Sequence, residues 1–301
     1  ISACLVGSEM CIRDSFSPDG KLPRCVRDAV IAAMERPDAA HYSHPLGTKE
    51  FRTAAAERLN EKYSYSVDPD RYIMAFPGSE LALQTAMLPF LSAECEVLVP
   101  DPGYLANTID PAALGAKAVE VPLSEGNHFA LDVTAFEKKL TSKTKMVILT
   151  YPNNPTGTVY SPNEIRALCR FIVEHDLVLL CDCAFDDYIF DGKELLWPAT
   201  VPGMWERTIS VFTVSKGWGL CGLRVGYMVA DTPVLDAILG RVPALMGCVS
   251  NIAQAGAAAA LRDTTLLRQY HNRLATRRKW TFEQLCNVPG IKVTLPDAGF
   301  Q

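Results

Sequence analysis

The sequence predicts an α/β fold, with three αβα layers built on a seven-stranded, mostly parallel sheet that carries one antiparallel strand. Three observations support this. From Arg71 onward, short near-continuous apolar runs alternate with amphipathic stretches of helical period. That pattern marks strands buried on both faces by crossover helices. Seven such runs can be counted, at residues 72–76, 96–100, 117–121, 146–150, 178–182, 208–213 and 224–229. The last connection, 214–223, is short and has no helical period, so it cannot make a parallel crossover. The run that opens at Arg224 is therefore expected to lie antiparallel to the rest.

In chain order, residues 1–15 show neither period nor capping logic and resemble the translation of a sequencing adapter. They are expected to be non-native and are set aside. Residues 16–45 form an N-terminal segment, with a turn at Pro18-Asp19-Gly20 and a helix over 23–36 whose apolar face is Val26, Ala29, Val30 and Ala33. An irregular turn at 41–47 contains Tyr42. Residues 46–263 are expected to form the large domain. Its first helix, 48–63, has Thr48 as N-cap and Phe51, Ala55 and Leu59 as its stripe. Helices over 80–90, 104–114, 132–140 and 162–175 alternate with the strands, and an Ala-rich helix follows at 249–262. Residues 264–301 hold a long helix over 266–285 and the start of a smaller domain, which is expected to be truncated.

Composition narrows the function. The chain has 301 residues, 49% hydrophobic and 21% charged, with a net charge of -5, so it offers no basic footprint for nucleic acid. No apolar run is long enough to span a membrane as a helix. Ten cysteines without a C-x-x-C pair read as reduced thiols and a cytoplasmic protein. Cys181 and Cys183 flank Asp182 in an apolar run and read as packing, not as metal ligands.

The polar residues converge. In open α/β sheets, ligands bind beyond the carboxyl ends of the parallel strands. Gly78, Ser79 and Glu80 follow the first run and open a helix, whose amides and dipole suit a phosphate. Tyr104 follows the second run and Asn153-Asn154-Pro155-Thr156-Gly157 the fourth. Asp182 ends the fifth, Thr213, Ser215 and Lys216 follow the sixth, and Arg224 begins the seventh. A partly desolvated amine is a nucleophile toward aldehydes. Hydroxyls and a guanidinium fork beside it suit a phosphate. An aldehyde that carries a phosphate is pyridoxal 5′-phosphate. Taken alone, Lys216 reads as a solvated loop lysine, as most lysines are; the residues that converge with it reverse that reading.

The joint order of Pro152-Asn153-Asn154-Pro155-Thr156-Gly157, Asp182 with an aromatic three residues on, Ser215-Lys216 and Gly222-x-Arg224-x-Gly226 resembles the class I/II aminotransferases. These are pyridoxal-phosphate enzymes of fold type I, and the likeness runs from about Phe16 to the end. The resemblance implies that Lys216 anchors the cofactor and moves the substrate proton, and that Asp182 pairs with the ring nitrogen. It implies that Asn154 donates to the ring hydroxyl and Tyr104 stacks on the ring. Gly78, Ser79, Thr213 and Arg224 would hold the phosphate, with Glu80 and Ser215 beside it. It further implies a homodimer in which Tyr42 reaches the neighbouring site, and substrates that are an amino acid and a 2-oxo acid.

Two departures stand out. Phe185 occupies the position where the family usually has a tyrosine that donates to the ring oxygen, and Tyr188 is a candidate to compensate. The family's carboxylate-clamping arginine is expected beyond Gln301, so the chain is expected to bind cofactor better than it transaminates. The competing readings are a lyase or decarboxylase on the same site, and a sensing domain of a transcription regulator.

Overall fold

The computed structural model describes residues 21–300, except for the side chains of Pro243 and Ala244. The adapter-like segment and the Pro18-Asp19-Gly20 turn lie outside the described residues. Helix α1 spans Arg24–Met34 and α2 spans Lys49–Tyr63. Thr48 caps α2 through its side chain, which accepts from the Phe51 amide at 3.3 Å. The turn between these helices is pinned by the buried Gln254. Its amide oxygen accepts from the Thr48 N–H at 2.6 Å, and its amide nitrogen donates to Ser43 Oγ at 3.1 Å.

Seven strands follow: β1 (Ile73–Phe76), β2 (Glu96–Asp101), β3 (Lys117–Pro122), β4 (Thr144–Thr150), β5 (Val178–Asp182), β6 (Thr208–Thr213) and β7 (Gly226–Val229). Their order is β1-β7-β6-β5-β4-β2-β3, with β7 antiparallel to both β1 and β6 and the remaining pairs parallel. The expected sheet and its single antiparallel strand are therefore present. One boundary is corrected. The seventh strand starts at Gly226, not at Arg224, which has a left-handed φ of 54° after a 3-10 turn over Cys221–Leu223. A left-handed residue cannot lie in a ladder.

Between the strands lie α3 (Ser79–Met87), α4 (Ala106–Ala113), α5 (Val133–Lys139) and α6 (Pro162–Glu174). A capping box starts α6, with Ser161 and Glu164 satisfying each other's backbone amides. The 214–223 connection, expected to lack helix, contains a single turn, α7 (Val214–Gly217). One turn is too short to leave a period in the sequence. Two further short helices, α8 (Thr232–Leu239) and α9 (Val242–Leu245), precede α10 (Asn251–Arg262) and α11 (Thr264–Cys286).

Side chains alternate along the strands between two cores, as sheet geometry requires. Along β4, Met146 and Ile148 pack with Ala82 and Leu83 of α3 on one face, while Val147 and Leu149 pack with α2, α6 and α10 on the other. Cys181 and Cys183 are both buried, with sulfurs 3.6 Å apart. Among the described residues, no helix is long and apolar enough to cross a membrane. Past α11 the chain returns to the sheet edge. Ala298 bridges antiparallel to Ile189, its amide donates to Gly157 O at 2.9 Å, and the Gly299 amide donates to Tyr188 O at 2.9 Å.

Candidate active site

The sheet delivers Asp182 and Thr213 at the carboxyl ends of the adjacent parallel strands β5 and β6. Thr213 ends its strand by capping α7. Its hydroxyl oxygen accepts from the Ser215 amide at 3.1 Å and lies 2.9 Å from Ser215 Oγ, both side chains being buried. That single turn presents Lys216. Its ammonium lies 5.6 Å from the ring centre of Phe185 and 5.9 Å from that of Phe300. The two rings meet edge-on at 5.4 Å, so the amine sits against an aromatic wall.

Behind Lys216 lies an ionic cluster that the sequence reading did not identify. Arg58 donates to Asp187 Oδ1 at 2.8 Å, and Lys62 reaches Asp187 Oδ1 at 2.9 Å and Asp186 Oδ2 at 2.7 Å. Tyr63 also donates to Asp186 Oδ2, at 2.7 Å. Burial raises the Asp186 carboxyl above its ordinary range, against the pull of Lys62. For Asp187 burial acts the same way, but Lys62 and Arg58 outweigh it and hold that carboxyl low. Asp187 rests against Gly217, where a Cβ would collide with its carboxylate. Tyr188 is fully buried, and its hydroxyl donates to Gly217 O at 2.7 Å. It braces the lysine turn and does not take over the role of a hydroxyl at position 185. The signal for the cluster was present as two cations one helical turn apart on α2 and a paired Asp-Asp after Phe185.

Asp182 is 4% exposed, and its Oδ1 accepts from the Ala184 amide at 3.1 Å. Burial pushes its carboxyl up to about 7. The Ala184 hydrogen bond and the charge of Lys216 oppose the rise, and the charge of Glu80 adds to it. A cationic N–H group placed beside it would favour its ionised form and pair with it.

The anion cradle forms where the β1–α3 turn meets the start of β7. Gly78 caps α3 with φ 96°, and a Cβ there would collide with the Arg224 guanidinium. A Cβ on Gly226 would lie 2.8 Å from Phe212 O and 2.9 Å from Ser79 N. Only a bare backbone lets the α3 N-terminus come this close to β7. Arg224 is exposed and donates to Cys221 O at 3.0 Å, which leads its fork toward Gly78. The helix N-terminus and the guanidinium together favour a bound anion.

On the other side, Tyr104 donates to Glu80 Oε2 at 3.0 Å. Asn154 is buried in the turn after β4. Asn153 shapes that turn, its Oδ1 accepting from the Thr156 hydroxyl at 2.9 Å and its amide donating to Tyr160 Oη at 2.9 Å. Lys216 and Phe185 therefore meet directly, as do Gly78 and Arg224, and Glu80 and Tyr104. Tyr42 stands apart at 94% exposure. Phe300, which sequence reasoning missed, joins Phe185 only because the chain returns after α11. A cavity of about 590 Å³ lined by Arg277, Phe282 and Lys292 touches this wall through Gly299 and Phe300.

The comparisons with known proteins follow from this geometry. The sequence pattern of the family described as aminotransferase class I and II matches residues 14–301. The chain belongs to the class I and II aminotransferases. It is 31% identical to an aspartate aminotransferase of Pyrococcus abyssi, over 94% of this chain and 73% of that protein. It is also 31% identical to aromatic-amino-acid aminotransferase 2 of Thermococcus litoralis, over the same shares. Among solved structures, the aromatic aminotransferase from Pyrococcus horikoshii superposes with a TM-score of 0.89 at 29% identity, covering 94% of this chain and 76% of that one. This aminotransferase therefore shares both its fold and its activity class with relatives whose names specify different amino acids.

Proposed function

We propose that this aminotransferase works on pyridoxal 5′-phosphate held at the rim of Lys216, moving an amino group from an amino acid to a 2-oxo acid. The observation that carries the reading is the juxtaposition of the Lys216 amine and the buried Asp182 carboxyl beside a cradle for an anion. The residues fit the group. Its aldehyde calls for an amine, its phosphate for backbone amides and a guanidinium, and its basic ring nitrogen for an acid. When bound, the cofactor supplies an electron sink for charge that develops at the substrate α-carbon.

The chain's own residues do the remainder. Lys216 Nζ would hold the cofactor and carry the proton at the substrate α-carbon. Asp182, when ionised, would pair with the ring nitrogen. Asn154 would donate to the ring hydroxyl, and Tyr104 would cover one ring face. The amides of Gly78 and Ser79 would hold the phosphate with Arg224, and Thr213 and Ser215 fix the turn that presents Lys216. Phe185 and Phe300 exclude water from the amine without donating a hydrogen bond. In this reading residues 46–263 are the cofactor-binding domain, and Tyr42 is exposed because it serves the site of a second copy in a homodimer.

The test is a visible absorption spectrum with pyridoxal phosphate before and after borohydride, followed by peptide mapping and analysis of the amino-group products. A stable adduct on Lys216, with a 2-oxo acid formed from the amino-acid donor, is expected. A folded chain with no adduct there would refute the assignment, and release of ammonia or carbon dioxide would move it to a lyase or decarboxylase.

A further inference from the structure

Glu80 sits at a place where its charge is unwelcome. It lies in the first turn of α3, next to the amides that would receive a phosphate, and two anions there repel. Its geometry points away from the phosphate. Oε2 accepts the Tyr104 hydroxyl at 3.0 Å, and the carboxyl faces that of Asp110. Asp110 is buried and is held in turn by Gln84, whose amide donates to its Oδ1 at 3.1 Å. Burial raises both carboxyls above their ordinary range, Glu80 further through the charge of Asp110 and against the pull of Arg224. Two neighbouring acids so placed each resist ionisation while the other is charged.

Tyr104 stands between β2 and α4, before the first helical residue. A phenylalanine would stack on a cofactor as well as a tyrosine does, so the hydroxyl serves another end. We infer that Glu80 is a positioning residue, which pins Tyr104 by its hydroxyl and thereby sets the ring plane against the cofactor, with Asp110 and Gln84 holding Glu80. The inference rests on the reading of this rim as a pyridoxal-phosphate site.

The design contains its own control. In Glu80→Gln the amide oxygen can still accept from Tyr104, and the amide nitrogen can donate to the facing Asp110 without adding a second negative charge. In Glu80→Ala both links are lost. Pyridoxal-phosphate affinity is measured by fluorescence titration of the full chain, together with the visible circular dichroism of the bound cofactor and the melting temperature. Glu80→Ala and Tyr104→Phe are each expected to weaken binding about tenfold and to reduce the dichroic band. The double variant should be no weaker than either single one, and Glu80→Gln should match the parent.

Additive losses, a Glu80→Gln variant as weak as Glu80→Ala, or a drop in melting temperature with the dichroic band unchanged would each overturn the inference. If Glu80→Ala does not fold, Tyr104→Phe decides alone, and an unchanged affinity and dichroic band in it refute the pin. A parent chain with no borohydride-stable adduct on Lys216 overturns the cofactor reading and this inference with it. A normal parent adduct with an additive cycle overturns the role of Glu80 alone.

Discussion

Asp182→Asn should make the cofactor-free chain more stable at neutral pH while disabling the site. Burial raises this carboxyl from 3.8 to about 7. Between those values the folded chain keeps a proton that the unfolded chain has lost, so stability falls as pH rises across that window and levels off above it. At about 1.4 kcal/mol per pH unit, the fully buried group costs the folded state up to about 4 kcal/mol at pH 8 compared with pH 3. An asparagine has the same shape, can still accept from the Ala184 amide, and has no charge to bury. The assay is urea unfolding of both proteins without cofactor at pH 4.5, 5.5, 6.5 and 7.5. The stability difference should grow in favour of the variant with a slope approaching 1.4 kcal/mol per unit and then flatten. With pyridoxal phosphate present the advantage of the variant should shrink, because the parent alone gains the pairing of Asp182 with the ring nitrogen. A difference that stays constant over the whole range would show that Asp182 is ionised throughout, and the burial argument would fail.

Three other substitutions probe separate parts of the site. Gly226→Ala should weaken pyridoxal-phosphate binding and cost about 1–3 kcal/mol by overpacking, because its Cβ would press on Phe212 O and Ser79 N; titration and melting together check this. Phe185→Tyr should lower the spectroscopic pKa of the bound cofactor, since a phenol donor at that position stabilises the ring oxygen anion. A visible titration with no change, or a rise, would contradict it. Asp187→Ala removes one partner from the buried ionic cluster and should cost about 3–5 kcal/mol, and chemical denaturation reads that loss directly.

Much of the framework was legible because burial on both faces leaves its mark in the sequence. The strands from Ile73 to Val229 are nearly continuous apolar runs, and Asp182 and Thr213 stand out as polar residues closing two of them. The two cis X-Pro bonds flanking Asn153 and Asn154 sit in a turn already marked by its prolines. Arg224 was harder to place, because a left-handed backbone in a non-glycine residue arises from its surroundings and has no local signature. The partner of Glu80 was hidden for the same reason. A tyrosine hydroxyl from a loop and a glutamate from a helix meet only after the sheet has set the distance between them. The helices over 232–245 are too short to declare a period. Nothing local in the sequence marks Asp186 and Asp187 as buried; two cations on α2 bring them inside.

The return of the chain after α11 carries a consequence for how the protein is made. Phe300, which completes the aromatic wall beside Lys216, is held in place by the hydrogen bonds of Ala298 to Gly157 and Gly299 to Tyr188. All the other parts of the rim lie at or before Gly226 and leave the ribosome earlier. During synthesis from the N-terminus, the nascent chain can therefore assemble its sheet, Asp182 and the anion cradle while Lys216 still faces water on one side. The enclosure of the reactive amine therefore comes after the surface that supports it has formed.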